Sequence, residues 1–374
     1  MYSTRKKLSS AGVFLFFIYY VAIATKKKEE RVYTIYENKK PRYARRKRGK
    51  NMKKIVSLLL VLVLLSATLI SCDKGEPTVV RLGGMTGPTS IGMVKLLESD
   101  KAGTSANDYD FTLATSGDEI KTALLQGDLD IAAIPANLAS ALYNATGGKI
   151  KLLAINTLGV VSILEKGSAV NTLSDLAGKT VYAPATAKGA IPELVFNYLL
   201  RENGVENVTV EWVDATELAK KLKTEAGAVV LSPEPNASAI LTNVEGSRRA
   251  IDLNEAWGAL ENGAEYITGV VVARTDFIEK NPEAVDKFLK EYGVSVAYVN
   301  AANAEEIAKL VTEHKILAVS EAIVERAIPT CNIAYIDGEE MKTAMSGFID
   351  LLFDGSPKAF GGKKPDDAFY YVKK

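Results

Sequence analysis

Residues 78–99 read TVVRLGGMTGPTSIGMVKLLES, and this stretch decides the fold class. Its opening is rich in β-branched residues, as a strand requires. Gly83 and Gly84 end that strand, and the loop from Met85 through Thr86, Gly87, Pro88, Thr89 and Ser90 feeds a helix over 91–99. Beyond it the same alternation recurs, with strands at 109–114, 129–134 and 149–156 and helices at 117–126 and 137–144. Successive βαβ units imply a parallel sheet with helices on its faces. The pattern is renewed after Thr157 and Gly159, with strands at 160–165, 180–183, 208–213, 228–231 and 266–273 and helices at 173–176, 191–203, 217–224 and 237–242. The last third is mostly helical, over 282–300, 305–312, 320–327 and 339–353, the first opened by Asn281 as cap and Pro282 at N1. Neither a repeat nor a low-complexity linker interrupts residues 73–374, so two α/β lobes joined by more than one chain crossing are expected.

Charge and cysteines narrow the function. Residues 1–51 carry 15 Lys and Arg against 3 Glu, whereas residues 73–374 hold 29 basic and 42 acidic side chains. So acidic a body is unsuited to tracking phosphate backbones, and nucleic acid is set aside as a partner. Two cysteines, Cys72 and Cys331, imply no disulfide framework. Cys331 lies in the apolar stretch 328–334 and reads as a buried, inert thiol. His314 is the single histidine, which argues against a Cys/His zinc site and a histidine-based triad; beside Lys315 it reads as a surface residue. No catalytic group, metal or cofactor is expected.

The amino-terminal region reads as a leader. Lys53 and Lys54, an apolar run over 55–65 and the small residues up to Ser71 are the parts of a secretory signal over 52–71. The run is shorter than the roughly 20 residues that span a bilayer. Leu69-Ile70-Ser71-Cys72 resembles the lipobox of bacterial lipoproteins, which implies cleavage before Cys72 and lipid on its thiol. Residues 1–51 add an apolar stretch at 11–25 and a basic block at 42–50 ahead of a complete signal. Two readings stand: Met52 as the initiator with translated upstream sequence before it, or a signal-anchor with a basic arm.

Four loops, over 86–90, 135–137, 185–190 and 233–236, follow predicted strands and precede helices. In open α/β sheets ligands sit at such strand ends, where helix amino termini present unpaired N–H donors.

Taken in order, Gly84-Met85-Thr86-Gly87-Pro88-Thr89, Gln126-Gly127-Asp128-Leu129-Asp130-Ile131-Ala132 with Pro135-Ala136-Asn137, Ser174-Asp175-Leu176-Ala177-Gly178-Lys179, Lys188-Gly189-Ala190-Ile191-Pro192-Glu193, Pro233-Glu234-Pro235 and the tail Gly361-Gly362-Lys363 with Pro365-Asp366-Asp367 resemble ABC-transporter solute-binding proteins. The branch is the one associated with nitrate, taurine, aliphatic sulfonates and thiamine-pyrimidine precursors, and the likeness covers 78–371. It implies the two-lobed type II periplasmic-binding-protein fold. A tether over 72–77 would lead to lobe one, formed by 78–157 and 270–374, with lobe two over 158–269. Gly159 and Gly269 would lie in the two hinge crossings, near 157–160 and 268–271.

By the same resemblance, Thr86, Gly87, Thr89, Ser90 and Asn137 would contact a small solute from lobe one, and Lys188, Gly189, Ala190, Glu234 and Asn236 from lobe two. Asn137 reads equally as a helix cap and Lys188 as a solvated lysine. Glu234 reads either as a partner for a ligand amine or as a favourable charge at a helix amino terminus. Asn236 departs from the aromatic residue common after the Pro-Glu-Pro turn, and the stretch from Ala187 to Ala190 lacks a hydroxyl common there. The implied activity is capture of a small polar or anionic solute by a monomer on the extracytoplasmic face, for delivery to an ABC permease and its ATPase. A ligand-sensing surface lipoprotein is the alternative, and a histidine-dependent pyrimidine-precursor synthase a third.

Overall fold

The computed structural model describes residues 77–373, which lie within one compact unit beginning at Glu76. The leader, the lipobox with Cys72, and the tether up to Glu76 fall outside the described residues.

The first sheet has the order β11-β4-β10-β3-β1-β2. Its strands are β1 (Val79–Met85), β2 (Asp108–Ala114), β3 (Ile131–Pro135), β4 (Ile150–Leu158), β10 (Ile267–Arg274) and β11 (Ile333–Asp337). The second has the order β7-β6-β8-β5-β9, from β5 (Val161–Lys166), β6 (Thr180–Pro184), β7 (Thr209–Val213), β8 (Val229–Pro233) and β9 (Ser247–Asp252). Helices α1 (Val94–Lys101), α2 (Gly117–Gln126) and α3 (Ala136–Thr146) belong with the first sheet, and α4 (Ile191–Glu202), α5 (Glu217–Thr224), α6 (Asn236–Asn243) and α7 (Leu253–Gly258) with the second. The carboxyl-terminal part supplies α8 (Thr275–Lys280), α9 (Pro282–Ala301), α10 (Ala304–Glu313), α11 (Glu321–Ala327) and α12 (Gly338–Phe353).

Local chemistry sets the helix starts. Ser116 accepts the Glu119 N–H at the head of α2, Asp252 takes the N–H groups of Asn254 and Glu255 at α7, and Asn303 takes that of Glu306 at α10. Pro282 opens α9, where its missing N–H costs nothing.

The first sheet is mixed, not parallel: β10 lies antiparallel between β3 and β4, and β11 is antiparallel to β4. The chain leaves this sheet after β4 and returns through β10, so the returning strand fills the place that a continuous βαβ series would give to β4. The outward crossing is short, with Gly159 and Val160 alone between Leu158 and Val161. The return runs from Asp252 through α7 and residues 259–266.

One core packs β1, β3 and β10 against α1 and α9 through Leu82, Ile131, Val271, Phe288, Tyr292 and Val296. Another joins the sheets. Trp257 of α7 meets Tyr198 of α4 at 4.9 Å between centroids, Phe348 of α12 at 5.6 Å and Tyr266 at 5.9 Å. Cys331 is fully buried, and burial together with the nearby Glu234 carboxylate pushes its thiol pKa up, away from the reactive thiolate. No helix among the described residues is long and apolar enough to cross a membrane.

Candidate ligand cleft

Strand direction brings the four loops to the crossing side of both sheets. β1 and β3 end at Met85 and Pro135, and Gly269, near the start of β10, pairs with Pro135 and with Thr157 near the end of β4. In the second sheet β6 ends at Pro184, and β8 ends at Pro233 opposite Val161, the first residue of β5. The Glu234 N–H then donates to the Val160 carbonyl at 2.9 Å, joining the last loop to the outward crossing.

The first loop is clamped from several sides. Ser90 is buried and its hydroxyl donates to the Met85 carbonyl at 2.7 Å. The Gly87 N–H donates to Ile316 at 3.1 Å, that of Thr86 to Ala114 at 2.9 Å, and the Asn156 amide to the Thr89 carbonyl at 2.8 Å. Thr86 remains exposed, Gly87 half-buried and Thr89 nearly buried. His314 is less free than a surface residue, because its Nε2 lies 3.0 Å from Glu98 on α1 and its segment carries the Ile316 carbonyl that holds Gly87.

Asn137 is no cap: Pro135 holds that position without a side-chain bond, and Asn137 is the second residue of α3, half-buried at the loop. In the third loop Lys188 and Gly189 are exposed, and Ala190 holds the cap position before α4 without a side-chain bond. Glu193, in the first turn of α4, accepts the Gly189 N–H, so this helix start already holds a carboxylate. The Asn236 amide donates to Ser232 at 3.0 Å.

Glu234 settles between its two readings. Its side chain has no solvent exposure and pairs with Arg249 at 2.6 Å. The Thr330 hydroxyl donates to it at 2.7 Å and the Ser238 N–H, in the first turn of α6, at 3.1 Å. The carboxylate therefore charges a helix start and closes an ion pair rather than standing open to an amine. Arg249 and Thr330 carried no signal in the sequence, since β9 reads SRRAID and Thr330 is 96 residues from its partner.

The glycines of the crossings are fixed by close approach. Neither Gly159 nor Gly269 has positive φ. A Cβ on Gly269 would collide with the Thr89 methyl and lie 2.7 Å from the Asn156 amide oxygen. One on Gly159 would strike Tyr266, while its N–H donates to Asn254 at 3.2 Å and its carbonyl accepts from Asn332.

The model of the family described as NMT1/THI5 like matches residues 116–307, more than half of the chain. The chain belongs to this NMT1/THI5-like family. No curated protein matches it in sequence. Among solved structures, the NMT1/THI5-like chain is similar to an ABC transporter protein from Parabacteroides distasonis, at 24% identity and a TM-score of 0.66, over 79% of this chain and 100% of that one. It is also similar to the periplasmic aliphatic sulphonate binding protein SsuA of Escherichia coli, at 16% identity and 0.60, over 80% and 95%. A ligand-binding component of an ABC-type import system from Staphylococcus aureus aligns at 14% identity and 0.58, over 79% and 97%. At these identities the likeness establishes the fold: this NMT1/THI5-like protein has the two-lobed architecture of periplasmic binding proteins.

Proposed function

We propose that the protein is an extracytoplasmic solute-binding lipoprotein, monomeric and lipid-anchored through Cys72, that captures a small polar or anionic solute between its lobes and passes it to an ABC permease driven by its ATPase. The observation that carries this reading is the convergence of loops from both sheets on the side where the chain crosses, in a member of this family. The lobes are 78–157 with 270–374, and 158–269. Thr86, Gly87, Thr89 and Asn137 form one wall, and Lys188, Gly189, Ala190 and Asn236 the other. Ser90 and Glu234 position these walls from beneath. Gly159 and Gly269 lie where a closing motion would bend the chain, as hinge closure about a ligand requires.

A thermal-shift screen of residues 73–374 against sulfonates, nitrate, pyrimidines, amino acids and oxyanions tests the reading. A ligand at 100 times its Kd adds about 2.7 kcal/mol of stability. Scattering with that ligand should show a smaller radius of gyration, and unchanged dimensions at saturation would remove closure from the mechanism. Asn137→Ala should weaken the same ligand about 5- to 10-fold, the worth of one hydrogen bond at ~1 kcal/mol, with unaltered melting of the free protein. Cys72→Ser should abolish acylation in intact-mass spectra and release the protein from membranes.

A further inference from the structure

A cavity of about 340 Å³ lies between α1 and α9, away from the crossing side. Buried Leu96 and exposed Val294 give it apolar lining, and Lys95, Lys287 and Lys290 line it as well. Lys287, Lys290 and Val294 follow one face of α9, and Val294 is 64% exposed. Lys95 is held over the Tyr298 ring at 4.6 Å. The one acid in the lining, Glu291, is occupied: it accepts the Ala106 N–H at 2.6 Å and the Tyr109 hydroxyl at 2.7 Å. Of the two other acids on α9, Asp286 pairs with Lys373 at 2.6 Å and Glu283 sits in the first turn.

The chain enters the domain beside this cavity. The Asp108 N–H donates to the Thr78 carbonyl at 3.1 Å, two residues after Ala106 in the lining. Five residues separate Cys72 from Thr78, a reach of at most ~22 Å even when fully extended.

We propose that this lysine-lined apolar cavity is a contact face for an anionic phospholipid surface and sets how the anchored domain lies on its membrane. The inference rests on the reading of Cys72 as a lipid anchor. A surface charge acts within about a Debye length, ~10 Å at moderate salt, so only the pole near the tether feels it. In the cavity lining three lysines stand against one occupied acid, Glu291, whereas the body carries 42 acidic against 29 basic side chains and is repelled. Attraction at one pole and repulsion elsewhere hold that pole against the bilayer.

The test needs no acylation. Residues 73–374 carrying an amino-terminal hexahistidine are held on nickel-chelating vesicles, with an environment-sensitive dye on Ala297→Cys, one turn beyond Val294; buried Cys331 stays unlabelled. Emission should rise on vesicles containing phosphatidylglycerol and not on phosphatidylcholine alone, and a dye on Glu202→Cys of the other lobe should not respond. Each lysine near an anionic surface contributes a factor of about five, so Lys287→Glu with Lys290→Glu should lower the phosphatidylglycerol response more than ~20-fold. Equal emission on both vesicles, or a response that survives the double reversal, overturns the proposal. A Cys72 found without lipid would instead overturn the anchor while leaving the vesicle result readable.

Discussion

Replacing Arg249 with methionine is expected to remove about 3–5 kcal/mol of folding stability, the cost of stranding a buried charge. The carboxylate of Glu234 is fully buried and Arg249 is its one cationic partner among the described residues. Without the guanidinium, the Thr330 hydroxyl and the Ser238 N–H remain as donors, too few for a charge withdrawn from water. Urea unfolding measures the loss. Adding Glu234→Gln should recover most of it, because glutamine keeps an acceptor for both donors and carries no charge. A single variant that loses less than ~1 kcal/mol, or a double variant no better than the single, would show that the pair is incidental. Thr330 precedes β11 of the first sheet and Glu234 follows β8 of the second, so the network also ties the lobes together. Thr330→Val should cost only ~1 kcal/mol, yet widen the unliganded protein in solution scattering.

The same network shows where sequence reasoning reaches its limit. The four loops were legible because each depends on local signals: glycine or proline after a strand and a helix directly behind. Strand ends and helix starts are neighbours in the chain, so their meeting needs no distant partner. The role of Glu234 depends on Arg249 and Thr330, and that of Ser90 on whether its hydroxyl faces outward or back to the Met85 carbonyl. Composition and periodicity carry none of this. Glu193 stands four residues from Gly189 in the sequence, but its bond to the Gly189 N–H appears only once the turn is folded.

The elements themselves divide along similar lines. Buried strands such as β3 and β10 announce themselves as apolar runs. β9 is not legible, since SRRAID has no apolar alternation and every residue in it is only half-buried. β11 is not legible because its short IAYID run follows a proline-containing turn and pairs with β4 across 176 to 183 residues of chain. Strand direction is less legible still. An apolar run reads identically parallel or antiparallel, and the reversal of β10 follows only from the chain having crossed to a second sheet and returned.

That double crossing makes the aromatic bridge behind the cleft the second sensitive point. Trp257→Ala is expected to cost about 3–5 kcal/mol. The indole is nearly fully buried among Tyr198, Tyr266 and Phe348, and its Nε1 donates to the Ala264 carbonyl at 2.6 Å. Tyr198 rides on α4 beside the second sheet and Phe348 on α12 beside the first, so the cavity left by truncation opens between the two lobes and not inside either. The chain has two tryptophans, and Trp212 lies on β7 at the edge of the second sheet. In the Trp257→Ala protein all tryptophan emission therefore reports the second lobe alone. With the bridge cut, that emission should change at a different urea concentration from the far-ultraviolet circular dichroism, which averages both lobes; in Trp257→Phe, which keeps a ring in the cluster, the two should stay coincident. Coincident transitions in the alanine variant would mean that the crossings alone, through Gly159 and the Glu234 network, suffice to make the lobes unfold together.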